Sequence, residues 1–399
     1  MQASQRYFYK FTGLHSILIG LLPFFLPVIL VQKGASLSQV ALFVGVSGLG
    51  FILTLLLWDK IRQHGHWRVL IIGSFVLELM LVLAIVLLQG IKDQYVWLFL
   101  LALLNGAYNC FYWSTQRLMF SGMTTSSNSG DKFGNFQILV VILLKIGILI
   151  GALLIESKGQ MAMFWLSLCL TAVAIWMFIK ASPPRAVQAS LLEKRISITD
   201  ILSFKDNNSS KFVFIIDGVF LYLESYFWVV TLFYVTEQNV FQLGILIVSL
   251  TLVLALIFYV IKSRIDSFNV HTIYLLACVL YALSWLLRGQ VNTEMDTVWL
   301  YTIITVIGFL TTFFRLAFNK RFFDVASIEN THQYILCKSY YSQAALAVFF
   351  IALSFLLING QENQVILQNL YWLVSPVALM YLAYRYVMPK QFARQGSWG

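Results

Sequence analysis

Long apolar runs alternate with short polar connections along the whole chain. Most runs contain about twenty residues, the number that an α-helix needs to cross a hydrocarbon core of about 30 Å. A helix satisfies its own backbone hydrogen bonds in lipid, so each run predicts a membrane-spanning helix. We number these predicted helices 1 to 12 in chain order. Their ranges are 11–31, 38–58, 68–89, 95–119, 135–155, 161–180, 212–234, 240–261, 272–288, 297–318, 335–358 and 365–388.

The composition supports this interpretation. Of the 399 residues, 60% are hydrophobic and 11% are charged, whereas a soluble domain has about 25% charged residues. The first run contains Pro23 and Pro27 and lacks a small-residue cleavage site, so we interpret it as helix 1 and not as a cleavable signal. The sequence predicts an all-α membrane protein with twelve transmembrane helices, surrounded by a lipid bilayer.

Lysine and arginine residues concentrate in alternate connections. With the N-terminus inside, the cytoplasmic segments contain Arg6, Lys10, Lys60, Arg62, Arg68, Arg117, Lys132, Lys180, Arg185, Lys194, Arg195, Lys205, Lys211, Lys262, Arg264, Lys320, Arg321, Arg385, Lys390 and Arg394. The opposite loops contain Lys33, Lys92, Lys158 and Arg288. By the positive-inside rule, both termini are expected in the cytoplasm of a multi-pass cell membrane protein, in the inner membrane of a bacterium. Since topology accounts for the net charge of +10, we expect no nucleic-acid partner.

One hydrophilic stretch, 182–211, divides the predicted helices into two groups of six. We therefore predict an N-terminal bundle at 1–181, a cytoplasmic linker at 182–211, and a C-terminal bundle with a short cytoplasmic tail at 212–399. Residues 191–204 are either a short amphipathic helix on the membrane surface or a flexible part of the linker. A weak repeat relates the segments that begin at Asn105 and at Ile307, which favours two pseudo-symmetric bundles.

Six ionisable residues lie inside apolar runs, where each costs about 2.5–3.5 kcal/mol on insertion scales unless it faces protein or water. From the predicted topology, three lie near the middle of the membrane and three lie nearer the cytoplasmic side. The first set is Glu78, Lys145 and Glu224, and the second is Asp217, Arg315 and Lys338.

Helix 7 has the most informative polar face. At about 100° per residue, Asp217, Glu224, Trp228 and Thr231 fall within an arc of roughly 60°. This face is expected to line a cavity, and Glu224 is our first candidate for a group that binds and releases a proton. An ion pair of Glu224 with Lys145 or Arg315 is the alternative.

Helices 4 and 10 have comparable stripes. On helix 4 the stripe is Asn105, Asn109, Tyr112 and Gln116, and on helix 10 it is Thr305, Gly308, Thr312, Arg315 and Asn319. Polar side chains at this depth line water or substrate, or else form hydrogen bonds between packed helices. Lys338, Tyr340, Tyr341 and Gln343 on helix 11 and Trp113 on helix 4 are expected to border the same cavity.

The stretch between helices 2 and 3 resembles the signature of the major facilitator superfamily, roughly G-x-x-x-D-R/K-x-G-R/K-R/K. Asp59, Lys60, Gly65 and Arg68 are recognisable in it, and Lys262 to Asp266 resembles a degenerate second copy. The resemblance implies a central cavity built from helices 1, 4, 7 and 10 and a gating role for Asp59 and Arg68. Ordinary positive-inside charges are the alternative explanation of these residues.

The chain departs from the drug/proton antiporters of that family. Ala102 stands where those proteins carry an arginine in helix 4, and helix 5 lacks their proline. Gly147 and Gly151 in helix 5 are spaced for close helix packing.

No G-x-S-x-G, Walker or H-E-x-x-H motif occurs, and no CxxC pair is present. We therefore expect no enzyme activity, cofactor or metal. The predicted function is secondary transport of a small polar or zwitterionic solute by a monomer that alternates its access, coupled to H⁺, with export favoured by the frequency of exporters in the family. The alternatives are an uptake carrier for a metabolite or peptide-like compound, a membrane enzyme, and a non-transporting subunit.

Overall fold

The computed structural model describes residues 3–88, 94–121, 129–181, 183–184, 196–265, 270–328, 330–358 and 363–385. Side chains at 129–137, 255–265, 270 and 327–328 lie outside this description. Several predicted topology charges also lie outside the described residues or side chains: Lys92, Lys132, Arg185, Lys194, Arg195, Lys262, Arg264, Asp266, Lys390 and Arg394.

Every described element is a helix. We label the long ones α1 to α12, and α1 consists of two segments, Ala3–Leu21 and Pro23–Gln32, that meet at an angle of 41°. The others are α2 Leu37–Gln63, α3 Trp67–Leu87, α4 Tyr95–Ser121, α5 Ser129–Lys158, α6 Gln160–Lys180, α7 Ser210–Val235, α8 Val240–Ile265, α9 Val270–Arg288, α10 Thr297–Ile328, α11 Thr331–Leu356 and α12 Asn363–Ala383.

Each predicted apolar run coincides with one of these helices. Among the described residues, ten helices are long and apolar enough to cross a membrane, and the bent α1 is an eleventh if its segments form one span. In α8 the segment Val240–Leu254 qualifies as a shorter apolar helix. The structure is therefore consistent with twelve spans. The bend in α1 lies at Pro23, which has no backbone N–H to donate and therefore interrupts the helix.

Glycine residues bring α1 and α5 into backbone contact. A methyl group added at Gly147 would overlap the Ile17 carbonyl, and one at Gly151 would overlap the Leu21 carbonyl. Small residues at a helix interface allow this close approach in lipid. The close packing predicted from the spacing of Gly147 and Gly151 is therefore present.

The helices before and after the linker, here called the first and second halves, contact each other at two ends. The linker end is the one where α6 ends and α7 begins. At this end the rings of Phe120 and Phe323 have centroids 4.9 Å apart. At the opposite end, Ser38 on α2 donates a hydrogen bond of 2.8 Å to the Ser354 carbonyl on α11.

Within the linker, residues 191–195 lie outside the described residues, and a helix of five residues spans Ile198–Leu202. The Ser197 side chain caps this helix, and Ile201 is buried. Tyr341 on α11 donates a hydrogen bond of 3.2 Å to the Ile201 carbonyl. Within the predicted amphipathic segment 191–204, the described part thus contains a short helix attached to the second half.

Arg288 lies differently from the sequence-based expectation. The topology analysis counted it with the opposite loops, although it is also the last residue of predicted helix 9. It ends α9, and it is only 1% exposed. The pattern of this short apolar run does not show whether the side chain of its last residue faces the protein interior.

Candidate functional site

A π-helical turn, Leu223–Phe227, interrupts α7. Such turns contain an extra residue, change the direction of neighbouring side chains and occur frequently at functional sites. Glu224 lies within this turn, between Asp217 in the preceding helical segment and Trp228 in the following one. The uniform helical periodicity assumed from the sequence is therefore replaced by a local change of register.

Arg315 on α10 connects the two carboxylates of α7. Its Nη1 lies 2.6 Å from Asp217 Oδ1, and its Nε lies 2.9 Å from Glu224 Oε2. All three side chains are less than one-fifth exposed. The ion pair with Arg315 that the sequence left as an alternative for Glu224 is present.

Further groups complete this arrangement. Lys338 Nζ lies 3.1 Å from Asp217 Oδ2, and Tyr381 donates a hydrogen bond of 3.0 Å to Asp217 Oδ1. Tyr281 donates one of 2.5 Å to Glu224 Oε1. We call Asp217, Glu224, Arg315 and Lys338 the charge network. Two anions balance two cations, which reduces the cost of holding charge away from water.

The charge network joins residues of the two predicted depth sets. Glu224 and Arg315 were assigned to different sets, yet their side chains are in direct contact. Depth along the helix axis describes backbone position, whereas an arginine side chain extends far enough to join groups about two helical turns apart on a neighbouring helix. The π turn adds a further displacement that the sequence pattern does not encode.

Arg288 forms a second buried cationic site that the sequence reasoning missed. Its guanidinium lies 4.3 Å from the ring centroid of Trp285 and 5.1 Å from that of Trp228. It donates hydrogen bonds of 2.8 Å to Ser284 and 2.7 Å to Thr311. The sequence did contain a signal for this site, because Ser284 and Trp285 lie one helical turn before Arg288 at the end of an apolar run.

The stripe on α4 contributes to the contact between the halves. Asn105 donates hydrogen bonds of 3.0 Å to Ser47 Oγ on α2 and 3.2 Å to Tyr226 OH on α7. Asn109 donates to the Asn105 side chain, and Trp113 donates to Asn109. The predicted polar face therefore lies at the junction of α2, α4 and α7, where it makes hydrogen bonds between helices.

The rest of the stripe is buried within the first half. Tyr112 packs against His15 of α1, with ring centroids 4.4 Å apart, and Gln116 is 6% exposed. His15 Nε2 lies 2.9 Å from Ser74 Oγ of α3. His15 is completely buried.

Glu78 lies one helical turn from Ser74 on α3 and is fully buried. Neither of its carboxylate oxygens has a hydrogen-bond partner among the described residues. The Tyr108 hydroxyl and His15 Nδ1 are likewise without partners in the described part of the chain. Burial of a carboxyl group without a hydrogen-bond partner is energetically costly.

Other predicted site residues lie elsewhere. Lys145 is half-buried on α5 and has no ion pair within the described residues. Thr231 pairs with the Tyr371 hydroxyl at 2.7 Å, and Thr312 donates to the Gly308 carbonyl of its own helix. The Tyr341 hydroxyl is directed to the linker helix, which separates it from the expected cavity lining.

The two residues with a predicted gating role, Asp59 and Arg68, have different surroundings. Asp59 Oδ1 lies 2.8 Å from Arg62, and His332 of α11 is 3.9 Å from the same oxygen. Arg68 is exposed and packs over the ring of Trp67. Asp59 is thus positioned between the halves at the linker end, whereas Arg68 does not join it.

Within the described part of the chain, no group of three or more His, Cys, Asp or Glu side chains is arranged to hold a metal ion. The side chains that converge in the charge network are instead those of a membrane-embedded ionic site. Such sites in spanning helices mark substrate or ion pathways.

Comparison with known proteins identifies the fold. The sequence profile of the Major Facilitator Superfamily matches residues 11–335, and no curated protein matches the chain. The crystal structure of the nucleoside transporter NupG has a TM-score of 0.65 at 12% identity, covering 97% of this chain and 100% of the other. A mutant structure of NupG has a TM-score of 0.63 at 14% identity, with 96% and 98% covered.

The profile covers far more than half of the chain, and the structural matches extend over nearly all of it. The matching family is one of membrane transporters and not of enzymes. The chain therefore belongs to the Major Facilitator Superfamily.

Proposed function

We propose that this protein is a secondary transporter that moves a small polar or zwitterionic solute by alternating access and couples this movement to protons. The observation that carries the proposal is the charge network, in which Arg315 is shared between Asp217 and Glu224. Both signs of charge are present within one buried cluster. A zwitterion can therefore exchange partners with the network without leaving an uncompensated charge.

Recognition of the solute follows from the donors and acceptors of this cluster. The guanidinium of Arg315 presents several N–H groups in a fixed plane, which suits a carboxylate of the solute. The carboxylates of Asp217 and Glu224 suit an ammonium or hydroxyl group. Entry of a solute would break ion pairs within the protein and form equivalent ones between protein and solute. The affinity for the solute therefore depends on the difference in free energy between these two sets of ion pairs.

Two carboxylates are candidates for the coupling proton. Glu224 would accept a proton when Arg315 turns to the solute, because the positive charge of Arg315 then no longer stabilises the Glu224 carboxylate. Glu78 would carry a proton in the described arrangement, because neither oxygen has a partner among the described residues. We retain Glu224 as the first candidate and Glu78 as the second, with Asp217 held more firmly by two cations.

Proteoliposomes with an imposed pH gradient test the coupling. We expect Glu224→Gln to lose uphill transport and to retain solute exchange, because exchange needs no net proton movement. Glu78→Gln is tested alongside it. Glu156→Gln serves as a control, since this exposed residue lies outside the charge network.

Two results would overturn the proton coupling. One is a wild-type protein whose transport ignores the pH gradient. The other is uphill transport at the wild-type rate in both Glu224→Gln and Glu78→Gln.

The solute is identified with a panel of compounds in a thermal-shift assay, followed by transport of those that stabilise the protein. The panel contains amino acids, short peptides and nucleosides, the last because NupG is a nucleoside transporter. Stabilisation by zwitterions that disappears in Arg315→Gln supports the assignment of the network. Stabilisation that persists in this variant contradicts it.

Export is the proposed direction, supported by the frequency of exporters in the family, and uptake of a metabolite or peptide-like compound is the alternative. Inside-out and right-side-out vesicles distinguish the two. Accumulation in inside-out vesicles alone is the result expected for export.

A further inference from the structure

A cleft of about 600 Å³ lies between α1 and α6 at the linker end. Arg6, Lys10 and Lys180 line it, and none of its ten lining residues is acidic. Three positive charges are thus gathered around one concave surface. The positive-inside rule by itself explains positive charges at this end of the helices. The residues around the cations therefore decide whether the cleft is a binding site.

The surroundings combine polar and apolar features. Tyr7 lines the cleft and is 93% buried, and its hydroxyl has no hydrogen-bond partner among the described residues. Its ring packs edge-on against Phe178, with centroids 5.2 Å apart. A buried hydroxyl without a partner is uncommon. The Tyr7 hydroxyl is shielded from solvent, so a ligand acceptor in the cleft would satisfy it after displacing the atoms that cover it.

The outer wall of the cleft continues into a face that lipid can reach. Trp176 lines the cleft and is 63% exposed, and Lys180 Nζ lies 4.9 Å from its ring centroid. Val173 and Ile179 are also about half exposed on the same helix. The cations therefore stand where the spanning part of α6 ends, beside an apolar surface suited to acyl chains.

We propose that this cleft binds the headgroup of an anionic phospholipid. The phosphate would lie among Arg6, Lys10 and Lys180 and accept a hydrogen bond from the Tyr7 hydroxyl, and an acyl chain would follow the exposed face of α6 past Trp176. Basic pockets between spanning helices bind anionic headgroups by this chemistry. A cleft of this size lies in the usual range for small-molecule sites.

The site lies outside the charge network, so it is independent of the proposed solute. Lipid bound between α1 and α6 would join the first helix of the first half to its last helix. Occupancy is therefore expected to stabilise the first half without taking part in the exchange of ion pairs.

Native mass spectrometry of the purified full chain with phosphatidylglycerol tests the proposal. Arg6→Gln, Lys10→Gln and Lys180→Gln are combined in one variant. The matched control combines Lys60→Gln, Lys205→Gln and Lys320→Gln, three exposed lysines that do not line the cleft. Both variants lose the same charge, so only the position differs.

We expect the cleft variant to bind phosphatidylglycerol at least about tenfold more weakly than wild type, since it lacks the three cations that would surround the phosphate. The control should remain within about twofold of wild type on the same reasoning. Equal losses in the two variants would overturn the proposal, because they would show attraction by net charge alone.

Two further measurements distinguish an anionic phospholipid from other possible ligands of the cleft. Tyr7→Phe keeps every charge and should weaken phosphatidylglycerol binding several-fold, because the phosphate loses a hydrogen-bond donor. Inorganic phosphate should bind far more weakly than the lipid, and phosphatidylcholine should not compete. Equal binding of inorganic phosphate would identify a free-anion site, and unchanged affinity in Tyr7→Phe together with competition by phosphatidylcholine would contradict headgroup recognition.

Discussion

At the residue scale, Arg315 is the side chain on which the buried charges of the second half depend. It contacts two carboxylates on a neighbouring helix, and one of those carboxylates also contacts Lys338. Removal of one member of a buried ion pair leaves an uncompensated charge, which costs about 3–5 kcal/mol. The consequence of a substitution therefore depends on which partner remains.

We predict that Arg315→Gln destabilises the protein by about 3–5 kcal/mol and that Glu224→Gln in the same chain recovers part of this loss. The second change removes the carboxylate that the first leaves unpaired, while Asp217 retains Lys338. Thermal unfolding in detergent measures the three proteins. A double variant no more stable than Arg315→Gln would show that Glu224 does not depend on Arg315.

Glu78 is predicted to respond differently. Glutamine has nearly the shape of a neutral glutamic acid, so Glu78→Gln should change the free energy of unfolding by less than about 1 kcal/mol if the carboxyl is neutral. Glu224→Gln, which breaks an ion pair, should cost more. The same unfolding assay compares them, and a larger loss for Glu78→Gln would indicate that Glu78 carries a compensated charge.

At the element scale, glycines determine how closely the helices approach. A methyl group at Gly147 would meet the backbone of α1, whereas one at Gly308 would lie 3.2 Å from the flexible ends of Leu250 and Leu254. A backbone cannot move aside as a side-chain end can. The predicted helix 5 spacing identified the first position, but its partner helix became known only from the fold.

We predict that Gly147→Ala destabilises the protein by about 1–3 kcal/mol, the usual cost of overpacking. Gly308→Ala is the matched control and should be nearly neutral, because the leucine side chains can adjust. Melting temperatures in detergent compare the two. Equal losses would mean that the α1–α5 distance does not decide the effect.

At the scale of the whole molecule, α2 and α11 contact each other at both ends and at their middle. A Cβ atom added at Gly45 would lie 2.9 Å from the Ile351 nitrogen, and one at Gly48 would lie 2.9 Å from the Gln343 carbonyl oxygen. Alternating access requires the halves to separate at one end at a time. Larger side chains at this junction are therefore expected to favour separation.

We predict that Gly45→Leu increases the distance between α2 and α11 at the end opposite the linker. Spin labels at positions 38 and 354, in a chain without the four native cysteines, should give a longer distance in this variant than in wild type. Leu49→Ala on the same helix, an exposed position, is the control. Unchanged distances in Gly45→Leu would show that the junction tolerates the leucine.

The sequence by itself determined the helices. Apolar runs of about twenty residues have one stable form in lipid, because a helix satisfies their backbone groups. The run 95–119 could therefore be placed in a spanning helix without any knowledge of its neighbours. The polar stripes on α4 and α7 also followed from helical periodicity, which is a local property.

Only the tertiary structure decided which side chains meet. Arg315 contacts Glu224, which lies in a π turn, and Arg62 pairs with Asp59. Tyr341 is directed to the linker helix, and Arg288 is buried beside two tryptophans. Ionic partners are set by the rotation and separation of helices far apart in the chain. The presence of ionisable side chains in the apolar runs is thus a property of the sequence, whereas their burial and pairing are properties of the packing.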